Sequence, residues 1–121
     1  NVVIFGLTFK ENCPDTRNNK VKDIINRLGE FGVKPTVVDP WANESDAKNE
    51  YGISLTPLDE VKDADCVIVA VAHHEFKNLS MEEIDKFFIK GKANSEKVLI
   101  DVKGLLDKNI VKKTGYRYWR L

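Results

Sequence analysis

Apolar residues in this chain come in two kinds of segment, and the two kinds alternate. Val2–Phe5 is a short β-branched run closed by Gly6, the pattern of a buried strand and its turn. Residues 8–18 form a polar loop containing a proline. Over residues 19–31 the apolar positions are Val21, Ile24, Ile25, Leu28 and Phe31; this spacing predicts a helix, with Gly32 placed to cap its end. Residues 35–38 read as a second strand ended by Asp39 and Pro40, 43–51 as a polar solvated helix, 53–55 as a short third strand and 57–62 as a short helix with proline in its first turn. Residues 65–72 (DCVIVAVA) are apolar after the first position, which suits a strand covered on both faces. Ser80 opens SMEE, a capping-box pattern, and the helix it starts carries Met81, Ile84, Phe87 and Phe88 before stopping near Gly91. Residues 98–102 read as another buried strand, 105–113 as a helix and 116–119 as an edge strand.

Strands alternating with helices, the central strands apolar on both faces, predict an α/β fold: a doubly wound, Rossmann-like three-layer sandwich with a mostly parallel sheet. The expected order of the first five strands is 3-2-1-4-5, with 2–5 in the middle. In such a sheet ligands sit beyond the carboxyl ends of the strands, where the winding direction reverses. Here that point lies between the first and fourth strands, and the residues facing it are 6–18, 39–41, 73–76 and 103–105.

The 121 residues fit one domain, 1–121. Lys plus Arg and Asp plus Glu each number 19, so the balanced charge gives no electrostatic case for nucleic acid or an anionic membrane surface. The longest apolar stretch, 66–72, is far short of a membrane span. Two cysteines, Cys13 in a polar loop and Cys66 in an apolar run, make no disulfide framework; the expected compartment is the cytoplasm. The single methionine is Met81 and the chain opens directly on a strand, so the natural protein is expected to extend N-terminally.

The first loop, residues 6–20 (GLTFKENCPDTRNNK), carries the most chemistry. Lys10 and Arg17 put two cations at the crevice near the start of a helix, a combination that suits a phosphate or pyrophosphate. Arg17 is able to grip it bidentately, Lys10 to act as a point charge, and Phe9 to lie against a flat ring. The plainer alternative is a surface loop with solvated cations and an Asp15–Arg17 pair. After Gly6 no glycine follows until Gly29, so the G-x-G-x-x-G dinucleotide fingerprint is absent.

GLTFK followed by PDTRNNKVKDII, VDPWA, VAVAHHEFK and DVKGLLD resembles the C-terminal domain of the UDP-glucose/GDP-mannose dehydrogenase family over nearly the whole chain. CPDTRN and AHHEFK are most similar to the branch that oxidises UDP-N-acetylhexosamines to uronic acids for bacterial polysaccharides. The resemblance implies an NAD-dependent 6-dehydrogenase making two hydride transfers, with a cysteine nucleophile and an NAD-binding domain N-terminal to this segment. It implies UDP-sugar contacts at Phe9, Lys10 and Lys103, and an Arg17 that reaches toward NAD. No catalytic residue falls in this chain. Where this chain has Lys103 and Gly104, some relatives carry two adjacent arginines. The resemblance further implies a homo-oligomer in full length, and a fragment that is inactive alone.

Other chemistry-bearing residues take plainer readings. Cys13 has no partnered base nearby in sequence, and the adjacent His73 and His74 do not make a metal pair by spacing. A helix-start or domain-contact role suits the histidines better, and no metal site is expected. Asp39 and Asp101, at strand ends, read as turn caps or as partners that order nearby cations. Against the dehydrogenase reading stands a non-catalytic, flavodoxin-like interaction or signalling domain. A phosphoacceptor version of it needs an acidic pair after the first strand, and residues 6–10 contain none.

Overall fold

The computed structural model describes residues 1–8, 10–16 and 20–120. Five strands, β1 (Val2–Phe5), β2 (Thr36–Val38), β3 (Cys66–Val69), β4 (Val98–Asp101) and β5 (Arg117–Arg120), form one sheet in the order β2-β1-β3-β4-β5. Every pairing is parallel. Leu55 adds one parallel bridge to Val37 outside β2, so the strand expected at 53–55 takes its predicted place but is reduced to a single bridge. With that bridge the expected order stands, and β5 extends the sheet at the opposite edge.

The period of two along each strand divides the core between the faces. Val3, Phe5, Val67, Val69 and Leu99 point to one side, where they meet Phe76, Ile84, Phe87 and Val111. Ile4, Ile68 and Ile100 point to the other, against Val21, Ala47 and the half-buried Ile24, Ile25 and Leu28. Helices α1 (Val21–Glu30) and α2 (Glu44–Tyr51) therefore cover one face. The short helices α3 (His74–Lys77), α4 (Met81–Asp85) and α5 (Lys108–Lys112) cover the other.

Helix ends follow their caps. The Ser80–Glu83 capping box opens α4 as predicted, and Asn43 and Asp107 cap α2 and α5 by accepting backbone N–H bonds. Three helices are shorter than the apolar spacing suggests. After Asp85 the chain tightens through bonds from the Phe87 and Phe88 amides to the Ile84 and Asp85 carbonyls, and Phe88 then bridges Ala64. Leu105 and Leu106, expected in α5, belong to a turn held by Asp101, and 57–62 contains only a 3-10 turn at Leu58–Glu60. Phe31, placed on the α1 stripe from sequence, is 72% exposed, with the Arg27 guanidinium 5.2 Å from its ring centre.

Candidate functional site at the strand switch point

The register aligns Val38, Phe5, Val69, Asp101 and Arg120 as the last residues of the five strands, so their loops emerge on one rim. Between β1 and β3 the winding reverses. The two loops part there at very close quarters: Gly6 has φ +109°, and a Cβ on it would fall 2.5 Å from Cβ of Val71.

Asp39, just past β2, organises the rim. Its Oδ2 accepts the Leu7 and Thr8 amides at 2.6 and 3.0 Å, and its Oδ1 accepts the Trp41 and Ala42 amides at 2.8 and 3.0 Å. His73 Nε2 lies 3.0 Å from Oδ2, with both side chains fully buried. Burial pushes the Asp39 carboxyl up, but the bonds from His73, Leu7 and Thr8 and the neighbouring imidazole outweigh it, and the group sits below its ordinary value.

The imidazole has a defined tautomer. The Asn12 amide donates to Nδ1 at 2.9 Å, so Nδ1 carries the lone pair and Nε2 the hydrogen. Nε2–H faces both Asp39 and the Thr8 hydroxyl oxygen, 3.1 Å away, while that hydroxyl donates to the Lys10 carbonyl at 3.0 Å. Asn12 takes a left-handed conformation, φ 54°, which asparagine tolerates, and its Oδ1 accepts the His74 amide at the start of α3.

Past β4, buried Asp101 accepts the Leu105 and Leu106 amides at 2.9 and 2.8 Å and the Tyr118 hydroxyl at 3.1 Å. Gly104, at φ +65°, closes this turn, and the Arg120 guanidinium from β5 donates to the Gly104 and Leu106 carbonyls. Asp39 and Asp101 thus fill the turn-capping roles read from sequence, and His73 stands at the start of a helix.

A cleft of about 350 Å³ opens at the switch point. Its walls are Thr8, Ala70, Val71 and Val102 at the strand ends and Val21 and Ile24 of α1, and Lys20 and Lys103 supply its positive charge. Among the described residues neither lysine ammonium has an ion-pair partner. Lys103 therefore sits where the sequence reading wanted a cation. Lys10 is exposed on the neighbouring loop and does not line the cleft. Phe9 and Arg17 lie outside the described residues. Lys20 was missed; the available signal was its position immediately before α1, the helix that follows the central strand and must begin at the crevice.

The first turn does not fit a dinucleotide pyrophosphate in the usual manner. The Leu7 and Thr8 amides, which in that manner would face a phosphate, are both spent on Asp39. Among the described residues no group of three or more His, Cys, Asp or Glu side chains is arranged to hold a metal, and no helix is long and apolar enough to cross a membrane.

Fold and cleft together define a class: a doubly wound α/β domain with a cationic cleft at its switch point. Residues 3–108 match the UDP binding domain of the UDP-glucose/GDP-mannose dehydrogenase family, and the chain belongs to that family. It is 49% identical over 108 residues to a UDP-N-acetyl-D-glucosamine 6-dehydrogenase of Pseudomonas aeruginosa, covering 89% of this chain and 24% of the relative. It is 36% identical over 116 residues to a UDP-N-acetyl-D-mannosamine dehydrogenase of Methanococcus vannielii, covering 96% of this chain and 25% of the relative. The chain thus spans about a quarter of the length of the curated relatives it matches. Among solved structures, an NDP-N-acetyl-D-galactosaminuronic acid dehydrogenase from Methanosarcina mazei superposes with a TM-score of 0.81 at 22% identity, covering 98% of this chain and 24% of that one. The UDP-N-acetyl-mannosamine dehydrogenase of Staphylococcus aureus gives 0.62 at 30% identity, covering 98% and 25%.

Proposed function

We propose that this chain is the UDP-sugar-binding part of an NAD-dependent 6-dehydrogenase acting on a UDP-N-acetylhexosamine. The observation that carries this reading is the cleft between Thr8, α1 and the turn after β4, where two lysines with no ion-pair partner among the described residues face a mainly apolar wall. A nucleotide sugar presents that combination: a diphosphate for the ammonium groups and a ring with apolar faces for Val71, Val102 and Ile24.

In this reading Lys103 and Lys20 neutralise the diphosphate, and Phe9 and Lys10 hold the uridine or sugar from the adjoining loop. Arg17 extends toward NAD, which is bound by a separate N-terminal domain, because the Leu7–Thr8 turn is already committed to Asp39. The oxidation, two hydride transfers from the sugar C6 position, takes place outside this chain, which binds and orients the substrate. The full-length enzyme is then a cytoplasmic homo-oligomer serving polysaccharide synthesis.

Titration of the 121-residue chain with UDP, followed by amide chemical shifts, tests the reading. Shifts clustered at Thr8, Lys20, Val71 and Lys103 are expected in the millimolar range, since half of the site lies elsewhere. No shift at these residues at 10-fold excess over about 1 mM UDP would remove it. In the full-length enzyme, Arg17→Ala should weaken NAD use more than UDP-sugar binding and Lys10→Ala the reverse; equal effects would undo both assignments.

A further inference from the structure

We infer that His73 is a positioning residue for the nucleotide site: its imidazole, buried behind the rim, sets the loop that carries Lys10. The inference rests on the reading of that loop as part of a UDP-sugar site.

The geometry brackets Lys10 from both sides. Before it, the Thr8 hydroxyl lies 3.1 Å from Nε2 and donates to the Lys10 carbonyl at 3.0 Å. After it, the Asn12 amide donates to Nδ1 at 2.9 Å. The ring itself has little freedom. Its side chain is fully buried, Nε2 is 3.0 Å from Asp39, and it packs between Trp41 and Phe76 with ring centres 6.2 and 5.6 Å away. Asn12 returns the connection, since its Oδ1 accepts the amide of His74, the next residue along. One imidazole thus connects the loops after β1, β2 and β3, and its two contacts with the β1 loop are both made by residues two positions from Lys10. Phenylalanine or leucine would fill the same volume, so packing alone does not account for a histidine here. The ring is used for two opposite hydrogen-bonding roles at two positions.

Two substitutions separate those roles. In His73→Asn the amide oxygen takes the place of Nδ1 and can accept from Asn12; in His73→Gln the amide nitrogen takes the place of Nε2 and can donate to Asp39 and Thr8. The readouts are hydrogen exchange at the Asn12 amide and UDP affinity of the 121-residue chain, each set against stability in urea. Expected is an Asn12 amide protected in the wild type and in His73→Asn but exchanging at least tenfold faster in His73→Gln, the loss of about one partly buried hydrogen bond. UDP affinity should follow, within about threefold of wild type for His73→Asn and about tenfold weaker for His73→Gln. His73→Leu should lose both; if it fails to fold, the Asn and Gln pair decides. Asn12 exchange that is equal in the two variants, or that changes only in proportion to global stability, overturns the inference. If the wild type binds no UDP, the cleft reading fails by itself, and Asn12 exchange still decides whether His73 sets the loop.

Discussion

Gly6 and Val71 meet so closely that a methyl group on Gly6 would lie 2.5 Å from the Val71 Cβ and 2.8 Å from its backbone nitrogen. Neither neighbour is the free end of a flexible side chain, and the Gly6 φ of +109° is itself hostile to other residues. Gly6→Ala should therefore lower stability by about 2–4 kcal/mol, combining overpacking with backbone strain. Urea denaturation checks this; a loss below about 0.5 kcal/mol would show that β1 and β3 part more loosely than described.

Acid should loosen the rim through Asp39. Its carboxyl is held below the ordinary value of 3.8, so it favours the folded state at pH values above 3.8, and this contribution disappears as pH falls through the lower folded value. Asp39→Asn should be less stable than wild type at pH 7 by about 2–3 kcal/mol, because four amides and an imidazole lose a charged acceptor. The gap should narrow by pH 3. Denaturation midpoints of both proteins at pH 7, 4 and 3 provide the measurement; parallel curves would remove Asp39 from the account.

The two cleft lysines should act through charge. Lys103→Ala and Lys20→Ala should each weaken UDP binding about three- to tenfold, and raising salt from 50 to 500 mM should shrink both effects. Lys112→Ala, on α5 away from the cleft, is the control. UDP affinity unchanged by Lys20→Ala would return that residue to ordinary surface chemistry while leaving Lys103 to be judged separately.

The two cysteines should differ in reactivity. Burial pushes the Cys66 thiol up to about 11, leaving about 0.1% thiolate at pH 8. Iodoacetamide at pH 8 should label Cys13 in the folded chain and reach Cys66 only after unfolding. Mass spectrometry of the labelled peptides checks the order; equal labelling in the native state would mean that β3 opens readily at its amino end.

The layered fold was legible because both of its signals are local. Unbroken apolar runs rich in Val and Ile at 2–5 and 66–69 require cover on two faces, and the α1 stripe of Val21, Ile24, Ile25 and Leu28 supplies part of it. Helix ends near 85 and 108 were less legible, since they are decided by partners outside the helix: the distant Ala64 for Phe88, and the Asp101 carboxylate at the end of β4 for Leu105 and Leu106. At the site, Lys103 could be placed by its position after a strand. The His73 network could not, because the residues it joins are separated by 31 to 65 positions, and nothing local marks His73, rather than His74, as the buried ring.

The outermost strand has a part in all this that its exposed position hides. Tyr118 braces Asp101, and Arg120 clasps the two carbonyls of the turn that presents Lys103. β5 works as a splint: if the cleft holds a nucleotide as proposed, damage at the periphery of the sheet would register as a slackened grip on it, with Lys103 itself intact.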